Sequence, residues 1–299
     1  MLSREEFADA IMDELRYRLP SEYTISRQTV LKDNDRPYTA LTVTEEGSEV
    51  GMVLYAENLY GDYERGMPLE EVAENAVHNL EQNAPDRGSL PSLDRAYILD
   101  HVYYRMANAG MNQKRFEDVP FRTAPGAEDI ALYPCVDVEV GGHHGRILVK
   151  NGQIESLGIT KDELHEAAEI NTERRVEIVP LSQVLQELMP GMPMEEMDNP
   201  LYVTRDREAH GCSGASLFGA PKVLSQMEDD FYIIPSSVHE VLLLPKELET
   251  DTDHLHMMVH EVNRDVLQPE DFLSDHVYET KAGAISTVER EKTAELEIG

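Results

Sequence analysis

Apolar residues in this chain occur only in short runs, and this feature most constrains how it can fold. The longest runs hold about five residues, far fewer than the roughly 20 that a membrane-spanning helix needs. Several runs have the length and β-branched character of strands, whereas other apolar residues recur at helical spacing. Hydrophobic residues make up 41% of the chain, which is enough to bury a sizeable core. The pattern predicts a soluble α+β protein.

The predicted elements interleave helices with antiparallel strands. Ser3 and Glu6 form a capping-box pattern at the start of a first helix, which ends at Pro20. A meander of short strands follows, and Pro68 stands at the first turn of a second helix. Later strands are predicted at 129–140, 201–204, 231–234 and 241–244, and later helices at 160–171 and 251–265. We expect antiparallel mixed sheets with helices packed on one face.

The domain organisation is less strongly signalled. A boundary near Gly110 would divide the chain into an N-terminal α+β subdomain, residues 1–110, and a C-terminal α+β subdomain, residues 111–280. A single domain is the alternative that the sequence leaves open. After Tyr278 the chain turns polar and lacks aromatic residues, so we expect residues 281–299 to form a disordered acidic tail.

Acidic residues dominate the charge of the protein. Asp and Glu number 58 against 26 Lys and Arg, and the formal net charge is -32. Such a surface repels phosphate backbones and anionic membranes, so we expect neither nucleic acid nor a membrane as a direct partner. It attracts a protein partner with a basic face. The plainer alternative is that dispersed acids only keep the chain soluble.

Cysteine usage and the N-terminal segment predict a cytoplasmic location. Cys135 and Cys212 lie far apart with no Cys-x-x-Cys partner, which is typical of a reducing compartment. The first six residues carry acidic and basic charges together, unlike a signal peptide.

The connector between two apolar runs is the most informative polar segment. Ser236, Ser237, His239 and Glu240 lie between the predicted strands 231–234 and 241–244. Functional side chains are common on such loops because the scaffold is rigid while the loop reaches solvent. These residues could bind a polar ligand or partner, and Ser236 with His239 is a weak catalytic candidate as nucleophile and base. The alternative is that they only cap and stitch a turn.

Other patterns are weaker and favour no enzyme class. Residues 211–215 lack the final glycine of a nucleophile elbow. His256 and His260 share one face of a predicted helix, but Met257 stands where a zincin has its glutamate, so we expect a structural or surface role for them. The glycines form neither a dinucleotide-binding nor a P-loop pattern. We expect no cofactor and no metal site.

Several short runs together resemble an uncharacterised bacterial family, domain of unknown function 5688. They are residues 32–34, 157–160, 163–164, 168–172, 201–204, 234–241, 261–263 and 273–275, of which the Pro-Ser-Ser-Val-His-Glu-Val run is the specific part. The resemblance extends to about Tyr278 and implies an origin in Gram-positive gut anaerobes and their mobile elements. It implies no activity. The positions that match its motifs are Ser236, Ser237, His239, Glu240, Asn263 and Asp275.

Two functional hypotheses follow. The first is a non-enzymatic interaction protein of a bacterial mobile element, which binds a protein partner through an acidic face; a sharper version is that this face mimics nucleic acid. The second is a small-ligand-binding module or hydrolase built around the connector. The sequence leaves the ligand, the partner and the oligomeric state undetermined.

Overall fold

The computed structural model describes residues 1–48, 51–83, 91–140, 142–189, 200–207, 217–227, 229–249 and 251–290. Within these residues the protein has an α+β fold in which helices accompany three antiparallel sheets, so the predicted fold class is confirmed. None of the helices in the described ranges is both long and apolar enough to cross a bilayer. The chain divides into two compact units, Met1–Leu93 with Asp137–Ile147, and Asp94–Val136 with Leu148–Gly299.

The first unit packs three helices beside a three-stranded antiparallel sheet. Its elements are α1 (Arg4–Arg18), β1 (Tyr23–Leu31), β2 (Pro37–Glu45), β3 (Gly51–Tyr55), α2 (Ala56–Glu64) and α3 (Leu69–Gln82). The capping box forms as predicted, because the Ser3 hydroxyl accepts from the Glu6 N–H while the Glu6 carboxylate accepts from the Ser3 N–H. Phe7, Ile11 and Leu15 of α1 are fully buried against apolar residues of β2, α2 and α3.

The remaining elements lie mostly in the second unit. They are α4 (Arg95–His101), β4 (Tyr103–Asn108), β5 (Arg122–Ala124), β6 (Ala127–Val140), β7 (His143–Leu148), α5 (Asn151–Ser156), α6 (Lys161–Arg175), β8 (Val176–Pro180), α7 (Leu181–Leu188), β9 (Tyr202–Asp206), α8 (Pro221–Ser225), β10 (Phe231–Pro235), β11 (Val241–Pro245), α9 (Thr252–Asp265), β12 (Tyr278–Lys281) and β13 (Ala284–Thr287). Residues 127–136 of β6 belong to the second unit and residues 137–140 to the first, which also contains all of β7 except Leu148. Strand β7 pairs with β6.

A six-stranded antiparallel sheet organises the second unit, with the strand order β13-β12-β10-β11-β9-β8. A smaller antiparallel sheet has the order β4-β6-β5, and β7 pairs with β6. Leu255 and Val259 of α9 pack against Tyr232 of β10, so this side of the helix faces the sheet. The connector predicted to carry function joins β10 to β11, two central strands of this sheet.

The two units differ from the division expected at Gly110, which lies inside the second unit in a turn after β4. In this turn the Asn108 side chain accepts from the Met111 N–H, and the Ala109 N–H donates to the Asp129 carbonyl oxygen. The glycine thus marks a local turn and not an interdomain linker.

The polar C-terminal stretch also departs from the expected tail. Residues 278–287 form the β12–β13 hairpin, although residues from 281 onward were predicted to be disordered. Ala282 and Gly283 make its two-residue turn with φ values of 50° and 78°, the left-handed geometry that such turns require. The two strands have only four residues each, Tyr-Glu-Thr-Lys and Ala-Ile-Ser-Thr, which is too short an alternation to predict from sequence. Residues 291–299 of the expected tail lie outside the described residues.

Candidate functional site

The connector between β10 and β11 is held by hydrogen bonds among its own residues. The Ser236 hydroxyl donates to the Glu240 carboxylate at 2.9 Å. The Ser237 hydroxyl accepts from the His239 N–H at 3.0 Å, and the Ser237 N–H donates to the Glu240 carbonyl at 3.1 Å. These contacts are those of an ordered turn, in which short polar side chains replace water at the free backbone groups.

The His239 imidazole points to an acid and not to a serine. Its side chain is half exposed, and Nε2 lies 3.2 Å from Oδ1 of Asp271. The Val238 N–H also donates to the Asp271 carbonyl, so this residue anchors the connector twice. Neither Ser236 nor Ser237 bonds the imidazole within the described part of the chain. The hydroxyl–imidazole pair that nucleophilic catalysis needs is therefore not formed in this arrangement, and the weak catalytic candidates stay a prediction.

The structure brings Asn263 and Asp275 into direct contact with each other. The Asn263 amide, on α9, donates to Oδ1 of Asp275 and to the Ser274 carbonyl, both at 2.9 Å. Nδ1 of His260, one turn back along α9, lies 3.9 Å from the same Asp275 oxygen. These residues bond to one another rather than to the connector, although Asp271 belongs to the same segment between α9 and β12.

Asp129 of β6 forms a hub that sequence analysis did not find. Its carboxylate accepts from the Ser274 and Tyr278 hydroxyls, each at 2.6 Å, and lies 3.0 Å from Nδ1 of His276. Ser274 and Tyr278 are fully buried, whereas the His276 side chain is 53% exposed. The backbone N–H of His276 donates to the Ser274 hydroxyl at 2.9 Å, which holds the imidazole beside the acid.

Burial and hydrogen bonding shift the pKa of Asp129 in opposite directions. Partial burial raises the pKa of Asp129, but the hydrogen bonds from Ser274, Tyr278 and His276 outweigh it and hold the pKa below its usual value. Burial, followed by the hydrogen bond to Asp129, raises the pKa of Tyr278. At neutral pH the hub is therefore an ionised carboxylate bonded by a neutral phenol and a serine.

A cavity of about 580 Å³ lies beside this hub. It is lined by His256, His260, Asp275, His276, Thr287, Val288, Glu289 and Arg290. His256 is only 2% exposed, and neither of its ring nitrogens has a hydrogen-bond partner among the described residues. Burial, followed by the charge of Arg290, lowers the pKa of His256, so the buried ring is neutral.

A second cavity in this unit contains another neutral histidine. His165 of α6 lies on its wall with Arg122, Lys161, Lys222 and several acids, and the Tyr104 hydroxyl lies 2.9 Å from Nδ1 of His165. Burial, followed by the charge of Arg122, lowers the pKa of His165 to about 4. Burial also raises the pKa of Tyr104. At physiological pH the Tyr104 phenol and the His165 imidazole are therefore both neutral and hydrogen-bonded to each other.

Within the described ranges, no group of three or more His, Cys, Asp or Glu side chains is arranged to hold a metal ion. Residues 211–215, which carry the incomplete nucleophile-elbow pattern, lie outside the described residues.

In the first unit, α3 presents a stripe of acids to solvent. Glu70, Glu71, Glu74 and Glu81 are exposed and fall within an arc of about 100° at 3.6 residues per turn. No lysine or arginine of the described chain forms an ion pair with them. The opposite side of the helix is buried, through Val72, Ala73, Ala76 and Leu80. We call these four glutamates the α3 acidic stripe.

A model described as a family of unknown function (DUF5688) matches residues 4–280. The chain belongs to this family. The matched range includes the connector, the Asp129 hub and the α3 acidic stripe, but it ends before residues 287–290 of the cavity wall. Neither curated proteins nor solved structures yield a match. Family membership therefore supports the expectation of an uncharacterised domain and assigns no activity to any residue.

Sequence analysis identified some of the residues around the Asp129 hub and the cavity beside it. The spacing of His256 and His260 placed them on one helix face, and the family resemblance pointed to Asn263 and Asp275. His276 was missed because it stands alone in a segment without periodicity. Asp129 was missed because one acid among 58 carries no signal by itself.

Proposed function

We propose that this protein is a non-enzymatic interaction protein of a bacterial mobile element, which binds a basic protein partner through an acidic face. The observation that carries the proposal is the α3 acidic stripe, where four exposed glutamates have no described cationic partner. The mobile-element setting comes from the family resemblance of the sequence.

Electrostatics explain how such a stripe would act. Unpaired surface carboxylates raise the local concentration of a basic partner and speed its association. Their attraction is screened over about 8–10 Å at physiological salt, so binding through them must weaken as salt is added. In the sharper version of the proposal, the partner is a nucleic-acid-binding protein whose basic groove accepts the glutamates in place of phosphates.

A small-ligand-binding module or hydrolase built around residues 236–240 is the second candidate. The observation that favours it is the His239–Asp271 pair at the end of β10 and β11, since an acid can orient an imidazole toward a ligand. The site would use Ser236, Ser237, His239 and Glu240. His239→Ala would then abolish ligand binding, whereas a turn that only fixes the fold would lose stability alone.

The test compares two variants with equal loss of negative charge. The stripe variant carries Gln at Glu70, Glu71, Glu74 and Glu81. The control variant carries Glu155→Gln, Asp229→Asn, Glu247→Gln and Glu261→Gln, four exposed acids scattered over the second unit. Partners captured from a lysate of the source organism at low and high salt are identified, purified and titrated against all three proteins.

The expected result is a basic partner that binds the wild type and the control with similar affinity and the stripe variant at least tenfold more weakly. Its binding should also weaken steeply with salt. Equal weakening in both variants would assign the effect to net charge and contradict a dedicated face. A capture with no salt-sensitive partner would contradict the proposal altogether.

A further inference from the structure

The Asp129–His276 pair determines which nitrogen of the imidazole carries the proton. Nδ1 lies 3.0 Å from a carboxylate oxygen of Asp129, and an ionised carboxylate can only accept a hydrogen bond. The hydrogen bonds from Ser274 and Tyr278 keep that carboxylate ionised at neutral pH. In the neutral form of the ring Nδ1 is therefore the donor, which leaves Nε2 as an acceptor.

The basic nitrogen of His276 is available to the cavity. His276 lies on the cavity wall with half its side chain exposed, and its Nε2 bonds no residue in the described part of the chain. The ring is held in place by Asp129 and by the hydrogen bond from its own backbone N–H to Ser274. A rigid acceptor facing a cavity selects a ligand that carries an O–H or N–H donor.

His256 is a second and independent indication of a ligand. A buried polar group without a partner destabilises the fold, so such groups are rare in folded proteins unless something else satisfies them. The backbone of Val288, which lies near the ring, can serve at most one of its two nitrogens. At least one nitrogen of this neutral, buried imidazole is left to bond whatever occupies the cavity.

The charges around the cavity narrow the ligand class further. Arg290 supplies a cation to the wall, so one anionic group is accommodated at that end. Asp275 and Glu289 also line the wall, and their carboxylates accept from hydroxyl groups while repelling a second negative charge. The volume of about 580 Å³ is in the range of small-molecule sites.

We propose that this cavity binds a small hydroxylated monoanion of the sugar-acid type, whose hydroxyl donates to Nε2 of His276 while its acid group lies beside Arg290. The site is distinct from the α3 acidic stripe, and neither proposal depends on the other.

The first test needs no variant. Long-range ¹H–¹⁵N NMR spectra of the imidazoles near neutral pH report the tautomer of each histidine. We expect His276 to be protonated on Nδ1, and we expect Asp129→Asn to remove that preference because an amide can either donate or accept. A wild-type His276 protonated on Nε2 overturns the proposal.

The second test titrates the full chain with gluconate and glycerate. Acetate lacks the hydroxyls and sorbitol lacks the charge, so acetate tests the contribution of the hydroxyl groups and sorbitol tests that of the acid group. We expect saturable shifts of the His256 and His276 imidazole signals with the sugar acids and much weaker shifts with either control. His276→Gln should weaken binding at least tenfold, whereas His254→Gln, which changes an exposed histidine of α9 outside the cavity lining, should leave binding unchanged.

Thermal unfolding establishes that both variants are folded. Shifts by gluconate that acetate or sorbitol match, or that His276→Gln leaves unchanged, overturn the proposal. So does the absence of any shift with both sugar acids. Saturable binding of Zn²⁺ alone, with no response to sugar acids, overturns it in favour of a metal centre.

Discussion

The buried ion pair between Arg175 and Asp206 provides the strictest test of the second unit. Arg175 ends α6 and Asp206 ends β9, and the pairing of β8 with β9 brings them together. Nε and Nη2 of the guanidinium contact Asp206 oxygens at 2.9 and 2.7 Å, and both side chains are at most 7% exposed. The guanidinium also lies 3.6 Å from the ring centroid of Tyr103.

Asp206→Ala would remove the carboxylate that pairs with the buried Arg175 guanidinium. Removing one partner of a buried pair typically costs about 3–5 kcal/mol, because the remaining charge loses its attraction but not its desolvation penalty. For a unit of roughly 150–250 residues, each kcal/mol lowers Tm by about 2–4 °C, so we expect a decrease of about 6–20 °C. Replacing Arg175 with Met and Asp206 with Leu together should recover most of the loss, since no charge then stays buried.

Urea unfolding monitored by circular dichroism measures these differences, with Glu187→Ala as the matched control. Glu187 is 55% exposed and pairs with Arg205 at 3.2 Å, so its removal should lower the stability far less than removal of Asp206 does. If the free energy of unfolding of Asp206→Ala lies within about 1 kcal/mol of the wild-type value, or matches that of Glu187→Ala, the pair is not desolvated and the reasoning is refuted. A double variant less stable than Asp206→Ala alone would refute the desolvation argument.

Three further changes test other parts of the structure. Ser3→Ala removes the cap of α1, whose hydroxyl accepts from the Glu6 N–H, and should lower the free energy of unfolding by about 0.5–2 kcal/mol in urea titrations. Gly126→Ala places a methyl group 1.9 Å from the Ile285 carbonyl oxygen at a residue with φ of +79°, so it should lower Tm by more than a Gly→Ala change at exposed Gly152. The pKa of His165 is about 4 in the folded protein and 6.5 in its ordinary state, so the unfolded chain binds the proton more readily. The stability that this residue contributes is present above about pH 6.5 and is lost as pH falls toward 4. His165→Phe should remove that part of the pH dependence when urea unfolding is measured at a series of pH values. An unchanged slope of the unfolding free energy against pH would contradict this assignment.

Local sequence signals predicted the elements that local physics determines. The capping box at Ser3, the helix from 161 and the apolar runs 231–234 and 241–244 formed where predicted, because caps, helical spacing and β-branched runs act over a few residues. Helix α2 was missed, since it follows β3 without a capping side chain. Helix α5 was missed too, since Asn151-Gly152 favours a turn and the helix has only six residues.

By itself the sequence determined the α+β class, the acidic charge and the placement of His256 and His260 on one face of α9. Tertiary structure alone decided that Asp129 meets Ser274, His276 and Tyr278, which lie about 145–149 positions further along the chain. It also decided that His256 is buried while His260, on the same helix, is exposed. The physical reason is that periodicity records which residues share a face, whereas burial and long-range hydrogen bonds depend on which surfaces the whole chain packs together.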